Sequence, residues 1–582
     1  MIARLLFLFL VWPSVTGTHE DMPFMEHLDM DNNVSLCWGF SEVQDTITFQ
    51  LTVKTTGWVG FGFSLNGEMN GADIVIGGVG SNSIYFMDYH SVEQIPVVDK
   101  KQDYTLLSLT EQDGQTTMMF RRSIQSCDQD DFQITNSPVK LIYAYGVSDD
   151  IGYHFNRRGV KEVNLLNYIP RSSPLDSNYL DFVMENITVP PQNTYYHCKV
   201  IKVPWLNGKK HIYRIEPLIQ NLDLVHHMLL YSCPSSVNQT SDMTCYTGEN
   251  GEGCFRVVSA WAVGGEAMEL PENTGIPIGG QDHEEFYRLE IHYNNLAQDA
   301  GRIDNSGLRL YYTAELRKHD VGILTTGLVT MSNWGYAIPP NASDFHSYGL
   351  CSTSYFSNML TEPVSDLSVF AVGLHTHLAG RKVRVGLFRN REQVDFLGLN
   401  ENYSFELQQV TNLGNIKTIK PGDDIVVECT YDTINRKDIT KLGLATTDEM
   451  CLAFLFYYPA ISITNCWSHP NMHAYNAMMV ETAIPIIEEM LNTKIWDQTS
   501  IEMHEATMKK IPQIGFISND NSSYTYYEGE ISNMKASPSR SCKSDPSVTT
   551  PLPPSANTGT KRVISLVLTA SAEILLLIVW LM

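Results

Sequence analysis

Between about residue 20 and residue 482 the apolar residues of this chain come in strand-length runs, and no long helical pattern interrupts them. DTITFQLTVKT alternates apolar and polar residues, while LVHHMLLYSC, EEFYRLEIHYNN, DDIVVECTY and CLAFLFYYP are short and rich in β-branched or aromatic residues. Gly, Pro and Asn turns separate such runs. Strands without crossover helices cannot form βαβ units, so the expected fold is all-β, built from antiparallel sandwiches. At 582 residues the chain is too long for one core. The expected units are a β-sandwich over 20–165, a second over 178–335 after the linker YIPRSSPLDSN, and a third over 340–482 after the joint NWGYAIPPNAS. A helical or irregular segment is expected over 483–545, carrying IPIIEEMLNTKIW and IEMHEATMKK, and a Ser/Pro/Thr-rich stalk over 546–562.

The two ends bear on compartment. Residues 1–17, MIARLLFLFLVWPSVTG, have a basic start, a short apolar run and small residues, as a secretory signal peptide does. Six N-x-S/T sites, at Asn33, Asn186, Asn238, Asn341, Asn402 and Asn521, are expected glycan acceptors, and eleven cysteines are expected as disulfides with one left over. VISLVLTASAEILLLIVWLM, residues 563–582, has the length of a single-pass membrane helix, and the alternative is a cleaved lipid-anchor signal. The expected location is the secretory pathway, with lumenal or extracellular domains attached to a membrane through the C-terminus. A net charge of −25 and the lack of a basic stripe exclude nucleic acid as a partner. The Gly-x-Gly of GFGFSLNG has no helix start after it, which argues against a phosphate loop.

Chemistry concentrates on histidine. In VFAVGLHTHLAGRKVRVGLF, residues 369–388, His375 and His377 stand two apart, and if the run is one strand they share a face. Two such imidazoles hold a transition metal, or they are simply surface histidines. His226 and His227 are adjacent in a second run, so both reach one metal only if a bulge or a strand end turns them. His292 shares its strand face with Arg288 and Glu290, where a solvent-facing ligand would sit; with His226 and His227 it makes a three-imidazole set, or all three are polar filling. Met450, at the start of CLAFLFYYP, is either core packing or the soft thioether that turns His375 and His377 into a copper site.

The motifs HHM at 226–228, EIHYNN around His292, HTHLAGRKV at 375–383 and EMCLAFLFYYP at 449–459 resemble, in order and spacing, those of the copper type II, ascorbate-dependent monooxygenases, the dopamine beta-hydroxylase family. In front of them W-V-G-F-G-F-S, G-A-D-I-V-I-G-G and YHFNRRG resemble the DOMON module, a β-sandwich. The resemblance implies two jelly-roll-like copper domains and two coppers per chain. One copper, on His226, His227 and His292, would store an electron; the other, on His375, His377 and Met450, would activate O2 for hydroxylation of a small, aromatic or amine-like organic substrate, with ascorbate as reductant. It leaves room for a homo-oligomer. The competing function is a non-catalytic surface protein that keeps the fold and binds a ligand or partner.

By family pattern the disulfides are Cys198–Cys245, Cys233–Cys254, Cys351–Cys466, Cys429–Cys451 and Cys127–Cys542, with Cys37 unpaired. Tyr355 or a neighbour stands where dopamine beta-hydroxylase would have a further half-cystine, so one constraint is expected to be missing. Peptide-amidating members hold a carboxylate with an Arg, an Asn and a Tyr where this chain has Gly373, Leu452 and Phe454, which disfavours a peptide substrate. Some DOMON modules bind haem, for which Met69 and His154 are candidates by residue type; a packing or docking role is the stronger expectation.

Overall fold

The computed structural model describes residues 22 to 537, except for isolated positions and short stretches, among them 169–177, 330–335 and 473–483. In the first sandwich a five-stranded sheet around Thr46–Val53 faces a six-stranded sheet around Val59–Ser64. Alternation sends Phe49, Phe61, Phe63 and Phe120 into the shared core, where Phe49 lies 5.5 Å from both Phe61 and Phe120. Each such buried ring contributes about 1.5–3 kcal/mol.

The second region pairs Thr194–Lys202, Phe286–Asn294, Val225–Ser232 and Arg256–Ala262 side by side, all antiparallel, and a second sheet around Lys210–Leu218 backs them. In the third region Leu367–His375 and Cys451–Tyr458 are neighbours in a seven-stranded sheet, and Gly380–Arg389 lies in a four-stranded sheet. Phe370, Ala371, Phe454 and Phe456 of the third region are buried in one cluster with Leu289, Ile291 and Met228 of the second. That shared apolar contact presses the histidine-bearing strands of the two regions together.

Two expectations change. Gly322–Leu328, counted with the second region, pairs antiparallel with Cys451–Tyr458 and parallel with Ile463–Pro470 in the third region's sheet. The segment after 483 is not only helical. It holds helices Ile484–Thr493 and Gln498–Lys510, the latter capped by Asp497 accepting from Ser500 N–H at 2.8 Å. Strands Gln513–Asn519 and Tyr524–Gly529 then extend the seven-stranded sheet. A Cβ on Gly515 would meet the Tyr527 ring, so only glycine lets these two strands pair there. Tyr527 also stacks on Tyr355 at 4.8 Å, and its hydroxyl donates to the Leu350 carbonyl at 2.7 Å. An aromatic stack therefore stands at Tyr355, where a half-cystine was expected.

The leader at 1–17, the stalk and the segment 563–582 fall outside the described residues. No helix among the described residues is long and apolar enough to cross a membrane.

Candidate metal centre

Strand pairing explains how neighbouring histidines converge. His227 stands opposite His292, and the register shifts between Val225 and His227, so the extra residue in the bulge is His226. His227 Nδ1 lies 3.4 Å from His226 Nδ1 and 3.3 Å from His292 Nδ1. A metal held by imidazoles at about 2.0–2.1 Å in a tetrahedral shell separates its donors by about 3.3–3.4 Å. Both separations from His227 match that shell, and the three rings place donor nitrogens within 4.8 Å of one another. All three rings are buried, which drives their basicity down, His226 to about 3, and leaves neutral lone pairs. Tyr196 stacks on His292 with centroids 4.4 Å apart, and from the third region Thr446 Oγ1 approaches His292 Nε2 at 3.3 Å. The His292 face with Arg288 and Glu290, expected toward solvent, is buried instead: Tyr231, Tyr246 and Cys198 of the same region pack on Arg288 and Glu290, and Thr446 of the third region reaches His292.

The second pair is built differently from the single strand expected. The strand ends at His375, and His377 sits in the turn before Gly380–Arg389. Glu449 holds that turn: its carboxylate accepts from the N–H groups of His377 at 2.8 Å, Ala379 at 2.5 Å and Met450 at 3.3 Å. Burial raises the Glu449 carboxyl to about 7 against these hydrogen bonds. A Cβ on Gly380 would collide with Thr376 Oγ1, so the turn needs glycine. The His375 and His377 rings stand 5.1 Å apart and nearly perpendicular.

Each ring has one nitrogen committed. His375 Nδ1–H donates to Gln408 Oε1 at 2.7 Å, and Gln408 Nε2 donates to the Phe405 carbonyl, which fixes the amide. His377 Nδ1–H donates to the Asp448 carbonyl at 3.2 Å, leaving Nε2 buried without a hydrogen-bond partner. A bare, oriented Nε2 is the donor a metal takes. The backbone of Met450 is fixed by the Tyr431 hydroxyl, which donates to its carbonyl at 2.8 Å, and by the adjoining Cys429–Cys451 bridge.

The two sets face one another. His227 and His375 rings are 5.3 Å apart, and Phe405 stacks on His226 at 3.9 Å. A cavity of about 350 Å³ has His227, His375 and Met450 in its wall, with Trp261, Phe255, Leu328 and Trp467 supplying apolar surface. Gly373, Leu452 and Phe454 line it too. Its charges are internally engaged: Glu290 accepts from Tyr246 at 2.9 Å and pairs with Arg288 at 3.4 Å.

Sequence reasoning missed Gln408, Phe405, Tyr403, Glu449 and Tyr431; Glu449 adjoins Met450, and Tyr403 adjoins Asn402, which was singled out only as a glycan acceptor. Four expected bridges are closed, Cys198–Cys245, Cys233–Cys254, Cys351–Cys466 and Cys429–Cys451, and Cys37 is a free, half-buried thiol. Cys542 lies outside the described residues, as does Asn521. Asn186, Asn238 and Asn341 are exposed, while Asn33 and Asn402 are half-buried. Met69 packs against Trp58, Ala72, Ile74 and Ile76, and His154 stacks on Tyr153.

Family models match along most of the chain: the DOMON domain over 30–146, the copper type II ascorbate-dependent monooxygenase N-terminal domain over 180–300, and the C-terminal domain of the same family over 319–479. DBH-like monooxygenase protein 2 of Mus musculus is 36% identical over 538 residues, covering 90% of this chain and 87% of that protein. DBH-like monooxygenase protein 1 of Gallus gallus is 39% identical over 465 residues, covering 77% of this chain and 75% of that protein. Dopamine beta-hydroxylase of Canis lupus familiaris is 33% identical, covering 80% and 76%. The disulfides and these relatives agree with a secretory or extracellular setting for the described domains. With its histidine sets, its bridges and its order of domains, the chain belongs to the copper type II, ascorbate-dependent monooxygenase family, carrying a DOMON domain in front.

Proposed function

We propose that this protein hydroxylates a C–H bond of a small aromatic or otherwise apolar substrate, using two coppers, ascorbate and O2. The observation that carries the proposal is that one cavity is walled by His227 from the first set and by His375 and Met450 from the second. Copper, when bound by such neutral and soft donors, supplies one-electron storage and activation of O2.

The chain's own residues do the rest. Met450 offers a thioether, which favours the reduced metal over harder competitors. Gln408 keeps the Nδ1 proton of His375 in place, so Nε2 is the donor. Trp261, Phe255, Leu328 and Trp467 give an apolar wall that excludes water around the reacting bond. An amine would meet Glu290 and Glu449, both already engaged by hydrogen bonds, so an aromatic body suits this cavity better than a free cation. A peptide carboxylate finds Gly373, Leu452 and Phe454, none of which can pair with it.

The test is an untargeted product screen of the copper-loaded protein with ascorbate and O2, run beside Met450→Leu. Oxygenated products from the native chain alone are expected. Identical product profiles from both would contradict the assignment of Met450.

A further inference from the structure

Residues 402–409 touch both histidine sets and the DOMON domain. Tyr403 donates its hydroxyl to the Thr376 carbonyl and accepts from Thr376 N–H, each at 2.9 Å, so it grips the residue between His375 and His377. Phe405 stacks on His226. Gln408 accepts from His375, and its own backbone N–H donates to the Val263 carbonyl of the second region at 3.0 Å. A few side chains of one connecting segment thus fix the imidazoles on both sides of the cavity.

What holds this segment from outside is the DOMON domain. Lys140 and Glu162 face each other across paired strands Val139–Tyr145 and Arg158–Val163, both buried, 3.6 Å apart. The Lys140 ammonium donates to the Asn402 carbonyl, and Gln409 Nε2 donates to the Glu162 carbonyl at 3.1 Å. Burying a charge pair at a domain seam is costly unless its remaining hydrogen bonds are used, and one of these is spent on the segment's backbone. A docking surface that only needed to be sticky would be apolar.

We propose that Lys140 and Glu162 are positioning residues for the metal centre: the DOMON domain sets the conformation of residues 402–409 and, through Tyr403, Phe405 and Gln408, the orientation of His375, His377 and His226. The consequence for copper rests on the proposed function, whereas the mechanical part does not.

The experiment uses the full chain carrying Lys140→Met with Glu162→Gln, which removes both charges at similar volume. Amide hydrogen exchange is followed in the metal-free protein, and copper affinity by titration. Exchange at Tyr403, Phe405 and Gln408 is expected to rise about tenfold or more, and the weaker copper to lose affinity by about tenfold. Unchanged exchange over 402–409, with loosening confined to Val139–Tyr145 and Arg158–Val163, would overturn the proposal and leave the pair as DOMON glue. Faster exchange with unchanged copper affinity would keep the mechanical link and overturn its role at the metal centre. If the double variant fails to fold, Gln409→Leu removes only the bond to the Glu162 carbonyl, and the same readings apply. Because exchange is read without metal, product or substrate, its failure is separable from a failure of the monooxygenase proposal.

Discussion

A buried imidazole that stays neutral is ready to bind metal, and the same property makes it a liability in acid. His226 is held near 3 against an ordinary value of 6.5, chiefly by burial, so the folded chain resists a proton that the unfolded chain accepts. Its stabilising contribution is present above pH 6.5 and is lost as pH falls toward 3. At pH 4.5, two units below the unfolded value, the loss is about 2–3 kcal/mol. In the metal-free chain, His226→Asn is expected to shrink the fall in unfolding free energy between pH 7 and 4.5 by that amount, measured by denaturant titration at both pH values. Equal falls in both proteins would show that His226 is not held neutral. Met450→Leu keeps side-chain volume and removes the soft donor; copper content is expected to drop by about one per chain, with the three-histidine copper retained. The histidines His226, His227, His292, His375 and His377 could be picked out of the sequence because imidazoles are scarce in apolar runs, whereas Met450, by type an ordinary gap-filler, stood out only beside His375 and His377 and through the family resemblance. Gln408 and Phe405 could not, since a polar or aromatic residue in a turn carries no periodic signal and their partners lie far away along the chain.

Two local elements bring those residues together. One is the bulge at His226; the adjacency of two histidines required a bulge or a strand end if both were to reach one metal, because strand alternation alone would have sent them to opposite faces, and the structure has the bulge. The other is the turn after His375, which was hidden: an apolar β-branched run reads as one strand, and nothing in it reveals that Glu449 will gather three N–H groups from residues up to 72 positions away. Glu449→Ala leaves those donors buried without their acceptor, at about 1–3 kcal/mol each. The expected result is a lower melting temperature and loss of copper from the His375, His377 and Met450 set before the three-histidine set, read by metal analysis at increasing chelator. Simultaneous loss from both sets would deny Glu449 its local role.

At the scale of the molecule, the sandwiches were legible because strand-length runs and turn residues exclude other layer types. Their edges were less so. Gly322–Leu328 and Gln513–Asn519 join the third region's sheet through pairing with strands distant in sequence, and register of that kind leaves no mark within the runs themselves. That the two sets face each other followed from their division across two sandwiches, but how closely they approach was not legible, since it depends on Phe370, Phe454 and Phe456 packing into the second region's core. Juxtaposed sets walled by one cavity are the basis for reading this chain as a two-copper monooxygenase. Electron paramagnetic resonance of the copper-loaded chain addresses that reading most directly: two Cu(II) per chain, both silenced by ascorbate under nitrogen and both restored by O2, are expected. A chain that binds no copper, or whose signal survives ascorbate, would contradict it.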